Sequence, residues 1–262
     1  MNLNNHEEHQ NQGTSRFSAP DSDIWGWKDV LLISASIISI FLVVISGYRL
    51  YTQIVHSQET TLSETSLGIS LSLGLLEGIV LIGSVYFWGL RRRGYSWKQV
   101  GLQSPAPGWI MTSFIIGVLV IPVSGLIALA IQLLLGQPLT NPQIPFLAPE
   151  GFTWLGAIGM LLLGGIIAPF AEELYFRGII YAWLRQKWGI WVAMLISSLI
   201  FGLLHGEASI AGAAFVLGIV LAWSYERSDS LLSPILIHII NNSFKIVLLY
   251  GMLAAGFIPH IN

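Results

Sequence analysis

The chain has 262 residues, of which 12 are basic and 14 acidic, so only 10% are charged while 54% are hydrophobic. Soluble domains run near ~25% charged, so this composition excludes an ordinary water-soluble globular domain and reads as a polytopic membrane protein. A net charge of −2 leaves no electrostatic footprint for nucleic acid. The absence of cysteine excludes disulfides, thiolate metal sites and cysteine nucleophiles.

Residues 1–28 form a polar head rich in Asn, Gln, His and Ser, in which only Ile24, Trp25 and Trp27 look interfacial. No basic stretch, apolar run and small-residue cleavage site follow one another there, so it reads as a disordered cytosolic tail rather than a cleaved signal. A membrane span needs roughly 20 apolar residues. Runs at 30–48, 66–90 and 109–135 qualify. The loop 136–152, with Pro138, Pro142, Pro145 and Pro149, separates them from further runs at 153–184, 189–205, 208–224 and 231–257. The last is long enough to be two short helices, with Pro234 near its start. The expectation is an all-α bundle of seven or eight spans around a buried polar cavity, in contact with membrane lipids.

Basic residues in short loops face the cytosol. Arg91, Arg92, Arg93 and Lys98 crowd the loop 91–98, and Arg185, Lys187 and Arg227 fall on the same side of the expected topology. This puts the amino terminus in the cytosol. Most of the ten tryptophans fall near expected span ends, as interfacial belts require.

Seven ionisable residues lie inside the apolar runs: Glu77, Glu172, Glu173, Arg177, His205, His238 and Lys245. A charge at mid-membrane costs about 2.5–3.5 kcal/mol on insertion scales, so such residues face a bundle interior and mark function. On a helix Glu173 and Arg177 are four apart, with the favourable acid-first polarity. Glu172 points about 100° away. The spacing therefore neutralises Glu173 locally and leaves Glu172 free, which suits a general base. Phe201 and His205 share a face at the same spacing, with Gly206 placed to end the helix. His238 and Asn242 also share a face, and Asn241 is turned away from it. Glu77, beside Gly74 and Gly78, is a candidate ion-pair partner for Lys245.

Taken singly, each motif has a structural reading: an ion-pair network, a core histidine, an interhelical hydrogen-bond pair. Taken together, a glutamate, two histidines and an asparagine on three spans are what a water-activating hydrolase needs. The same Glu172, His205 and His238 set matches a His2Glu zinc site, so metal-free and zinc-bound chemistry both stay open. No His-Glu-x-x-His, Gly-x-Ser-x-Gly or phosphate-binding glycine loop occurs.

The ordered set EExxxR, FxxxH and HxxxN on successive spans resembles the CPBP family of intramembrane proteases. That family groups the Ras-converting CAAX endoprotease with bacteriocin-processing and Abi-type immunity proteins, many of them named metalloproteases. The resemblance covers roughly residues 150–250. It implies a catalytic core at 151–257, with 29–150 supplying further spans and loops, and a cavity opening toward the cytosol. It further implies that Glu172 activates water, that His205 helps to hold it, and that His238 and Asn242 stabilise the oxyanion, with Glu173, Arg177 and Phe201 in support. The substrate class so implied is a membrane-associated protein or peptide. A non-catalytic scaffold or immunity protein on the same fold is the alternative, and a proton-coupled transporter with Glu172 as relay is a third. For Glu172 and His205 to meet, the fourth helix must continue to about 184 and the fifth must end at mid-membrane.

Overall fold

The computed structural model describes residues 24–55 and 66–258, and every regular element among them is helical. Of the tail expected at 1–28, residues 1–23 lie outside the described residues. In the part of that expected tail which is described, the side chain of Trp25 is buried, and its indole N–H donates to the Gly178 carbonyl at 2.8 Å. A buried indole needs such a partner.

Helix α1 spans Trp27–Val55 and α2 spans Leu67–Ser84, continuing as a π-helical segment at Val85–Arg91. Helix α3 runs Trp109–Leu135. The proline-rich connection holds only the single turn α4, Ile144–Leu147. Next comes a continuous helical path: α5 (Trp154–Leu162), a π-helical segment (Leu163–Ile167), α6 (Ala168–Tyr175), a second such segment (Phe176–Tyr181) and α7 (Ala182–Leu203). Helices α8 (Ala208–Ser228) and α9 (Leu232–Ala254) complete the bundle.

Among the described residues six helices are long and apolar enough to cross a membrane, the fourth being the 50-residue path Trp154–Leu203. That path breaks at Gly189, where φ 76° and ψ 177° are accessible to glycine and to few other residues. The break divides it into two helical stretches, so the described residues are roughly consistent with the seven or eight spans expected. The final run is one helix, because Pro234 falls in its first turn, where a missing N–H costs nothing. Up to the break, the fourth span extends beyond the expected 184 to about 188. The fifth, 190–203, rises only about 21 Å before the turn that carries His205.

Large apolar side chains such as Val43, Leu119, Leu134 and Leu195 cover the outside of the bundle, where lipid replaces water as solvent. Inside, the tightest seams use small residues, as membrane helices do. A Cβ on Gly202 would lie 2.7 Å from the Ala211 carbonyl oxygen of α8, and one on Gly218 would lie 2.9 Å from Ser198 Cβ of α7. These two glycines lock α7 and α8 into a close antiparallel hairpin. Gly202→Ala is expected to lower stability by about 1–3 kcal/mol through overpacking against backbone. Gly125→Ala, with open space around its Cβ, is expected to be neutral or slightly stabilising. Thermal unfolding of both variants in detergent checks the contrast.

Candidate active site

The site forms where α6, α7, α8 and α9 converge, and one proline helps to set it. Pro169 has no N–H, so the Gly165 carbonyl four residues back loses the donor it would meet in an α-helix. Helix α9 meets it, Ser243 Oγ donating to Gly165 O at 3.1 Å, while Asn242 Nδ2 reaches the neighbouring Gly164 O at 3.4 Å. The π-helical segments on either side of α6, a form found often at functional sites, turn the EExxxR stretch toward α9.

Glu173 is the hub. Its side chain is wholly buried, and Oε1 accepts from Arg177 Nη1 at 2.7 Å and from His238 Nδ1 at 2.9 Å. Arg177 is itself 1% exposed, donates from Nη2 to the Gly218 carbonyl at 3.2 Å, and stacks its guanidinium 4.6 Å from the centre of the Phe201 ring. The same ring lies edge-on to His205 at 4.8 Å and to His238 at 5.7 Å. Phe201 is therefore the apolar wall between the two imidazoles and the face on which Arg177 rests.

Glu172 differs from its neighbour in exposure and in partners. Its side chain is 14% exposed against 0% for Glu173. Glu173 leaves Oε2 unpartnered while its Oε1 takes Arg177 and His238, and Glu172 Oε2 likewise has no hydrogen-bond partner among the described residues. That oxygen lies 3.6 Å from His238 Nε2. Opposite it stands the carboxyl of Glu77 from α2, close enough to interact with Glu172 by hydrogen bond and charge.

The two histidines are held in the same way. His205 Nδ1 bonds the Phe201 carbonyl at 2.8 Å, as His238 Nδ1 bonds Glu173, so both rings keep Nε2 for other work. A short turn fixes His205: Gly206 takes φ 78°, and Glu207 N–H donates to the His205 carbonyl at 2.9 Å. Glu207 then caps α8, accepting from the N–H groups of Ser209 and Ile210. The Ser209 hydroxyl and these amides hold its carboxyl below the usual carboxylate range.

Among the described residues, no three carboxylate or imidazole groups are disposed to hold one metal ion. The Glu172, His205 and His238 set thus does not fit zinc as arranged here. Asn242 shares the α9 stripe with His238, as its spacing requires. Asn241, expected to turn away, is the more buried of the pair at 1% exposed, and its Nδ2 donates to Asn242 Oδ1 at 3.0 Å. Glu77 faces Glu172, and Lys245 has no ion-pair partner among the described residues, so the expected Glu77–Lys245 pair does not form. Glu77 is the site member that motif spacing missed. Its flanking glycines were the available signal: a Cβ on Gly78 would meet Ile167 at 2.6 Å and one on Gly74 would meet Leu163 at 3.4 Å, so α2 runs close against the site helix.

These features define an integral, multi-pass membrane protein with a buried Glu–His–Arg cluster at the meeting of its helices. Residues 154–244 match the family model described as type II CAAX prenyl endopeptidase Rce1-like. Over 89 residues (34% of this chain, 36% of the relative) it is 33% identical to YdiL of Bacillus subtilis (strain 168), which is named as a membrane peptidase. Over 88 residues (31% of this chain, 36% of the relative) it is 31% identical to the membrane-embedded CAAX protease MroQ of Staphylococcus aureus (strain USA300). An uncharacterized 24.3 kDa protein of Escherichia coli is 33% identical over 112 residues, 40% of this chain and 52% of that protein. The matched stretches thus cover from about a third to about half of these relatives' lengths. No solved structure matches the chain. The family match and the named peptidases support a membrane protease role.

Two outcomes test the site's construction. Glu173→Ala or Arg177→Ala strands a buried charge and is expected to cost about 3–5 kcal/mol, read as lost yield and a lowered unfolding temperature in detergent. Glu207→Ala is expected to cost about 1 kcal/mol through the lost cap. Because the folded carboxyl lies below its ordinary value of 4.5, the cap's contribution is present above that value and fades as pH falls through the folded one. A stability difference between wild type and Glu207→Ala that persists unchanged down to pH 2 would contradict this.

Proposed function

We propose that the chain is an intramembrane endopeptidase in which Glu172 activates water against a peptide bond of a membrane-associated substrate. The observation that carries this is the asymmetry of the glutamate pair. Glu173 is wholly buried and holds Arg177 and His238 through Oε1, whereas Glu172 is partly exposed and its Oε2 lies 3.6 Å from His238 Nε2.

Water placed between Glu172 and His205 gives its proton to the Glu172 carboxylate as its oxygen bonds the scissile carbonyl carbon. The resulting oxyanion takes hydrogen bonds from His238, whose imidazolium form donates from Nδ1 to Glu173 and from Nε2 into the site, and from Asn242. Asn242 holds Gly164 O only by a long bond, which it exchanges for the substrate oxygen. The proton on Glu172 then passes to the leaving nitrogen as the C–N bond breaks. Glu77, facing Glu172, positions that carboxyl. This reading draws the working residues from 151–257 together with α2 of the 29–150 part. It places the basic end of the bundle, with Arg91–Arg93 and Lys98, and the amino terminus in the cytosol.

Glu172→Gln is expected to lower cleavage at least ~100-fold, the lower range for loss of a general base, with the unfolding temperature near wild type; His205→Ala is expected to reduce cleavage as well. The readout is a quantitative survey of protein termini in membranes from cells carrying wild type or Glu172→Gln at equal expression. New termini dependent on Glu172 establish proteolysis and name substrates. Identical termini, with the variant still replacing wild type in the cell, would instead support a non-catalytic scaffold.

A further inference from the structure

At the basic end of the bundle, α2 runs into the π-helical segment Val85–Arg91, and four residues there form two short columns. Arg91 follows Phe87 by four residues and Arg92 follows Trp88 by four, so each arginine sits one turn beyond an aromatic ring. These four side chains line an open recess of about 550 Å³, a volume in the range of single-ligand sites. Phe87, Trp88 and Arg91 are exposed, and the Arg91 guanidinium lies 6.0 Å from the centre of the Phe87 ring. Three arginines here share one acid. Asp29, buried in the first turn of α1, pairs with Arg92 and Arg93, and Arg92 Nε also donates to the Trp88 carbonyl at 3.1 Å. Arg93 donates to the Ile24 carbonyl and to the Tyr95 hydroxyl. Arg91 has no hydrogen-bond or carboxylate partner among the described residues, and neither has Nη1 of Arg92. Three guanidiniums against one carboxylate leave the cluster a net charge of +2. The recess is distinct from the glutamate–histidine cluster, since Phe87 lies about 15 Å along α2 from Glu77.

We propose that this recess binds one anionic phospholipid, its phosphate held by Arg91 and by Nη1 of Arg92, its glycerol and upper acyl carbons laid on Phe87 and Trp88. The vertical spacing fits. One turn separates rings from guanidiniums by about 6 Å, and the headgroup layer on each side of the hydrocarbon is roughly 5–8 Å deep. Rings at the edge of the hydrocarbon therefore put the guanidiniums at phosphate level. A planar guanidinium meets two phosphate oxygens at once. Asp29 and the Trp88 carbonyl already hold Arg92 in place, so less side-chain entropy is lost when a lipid arrives. The surplus positive charge favours a headgroup of net negative charge and repels the cation of a zwitterionic one. A soluble anion would gain nothing from the two rings, which points to a lipid. The site stands whether or not the chain cleaves peptides.

The test uses the full chain in detergent, equilibrated with equal amounts of phosphatidylglycerol and phosphatidylcholine of the same acyl chains, with bound lipid counted by native mass spectrometry. Wild type is expected to retain phosphatidylglycerol at least ~5-fold over phosphatidylcholine, the share of one basic residue beside an anionic headgroup. Arg91→Gln, at an exposed side chain, strands no buried group and is expected to bring the ratio close to one. Arg91→Lys is expected to keep part of the preference. Arg227→Gln removes an exposed charge from the last turn of α8, outside the recess, and is expected to leave the ratio unchanged. Trp88→Ala is expected to release much of the phosphatidylglycerol with every charge intact, and excess glycerol phosphate is expected not to displace it. No preference in wild type, a preference that survives Arg91→Gln, or one lowered equally by Arg227→Gln overturns the site. Displacement by glycerol phosphate, or full retention by Trp88→Ala, overturns the lipid in favour of a simple anion.

Discussion

The buried Glu173 carboxylate is the interaction on which the rest depends. A charge wholly removed from water is tolerated only when it is paired and hydrogen-bonded, and here the two partners of its Oε1 come from different places in the fold. Arg177 is supplied one helical turn away, and His238 from a helix that lies far along the chain. Because Arg177 also donates to the Gly218 carbonyl, one carboxylate indirectly ties α6, α8 and α9 together. The ring of Phe201 adds α7, lying under the guanidinium and between the imidazoles. The position of Glu172 is a consequence: with Arg177 and His238 Nδ1 held by the hub, its neighbour is left partly exposed at the edge of the buried region.

How much of this was legible before the structure depended on the range of each contact. The spans were, since their signal is local composition; the run read at 109–135 is the helix Trp109–Leu135. The Glu173–Arg177 pair was also legible, being a single-helix spacing. Glu77 was legible only as an intramembrane acid, and its partner was not, because nothing in a sequence of spaced residues says which face of α2 meets which face of α6. Asn241 is a different case: three residues from His238 it lies only about 60° round the helix, so it belongs to the buried face from which it was expected to turn away. The three π-helical segments left no sequence trace beyond glycines within them, at Gly89, Gly164, Gly165 and Gly178. Each shifts the phase of everything after it, so a face drawn at 3.6 residues per turn drifts across them.

Pro169 illustrates how a locally unfavourable residue becomes a fastening. In a straight helix its missing N–H leaves a carbonyl unmet, a serious cost in lipid where no water can satisfy it. Here that carbonyl, Gly165 O, and its neighbour Gly164 O are the points at which Ser243 and Asn242 grip the fourth span. The defect in one helix thus sets the height of α9, and with it the level of His238 against the glutamates. Trp25 makes a comparable tie at the basic end, holding the start of α1 to the Gly178 carbonyl just beyond Arg177.

The shortness of the segment 190–203 reaches beyond the protein. At about 21 Å it falls some 9 Å short of a typical ~30 Å hydrocarbon slab. The lipids bordering the turn at 204–207 must compress or tilt to follow it, and such mismatch carries an elastic cost for each ångström. The bilayer is then a mechanical component of the protein, most deformed where His205 sits. A thin membrane seats this hairpin with little distortion, whereas a thick, sterol-stiffened one resists it. Bilayer thickness in this way becomes a variable that sorts the protein among membranes and governs how readily water and an extended chain approach the histidine.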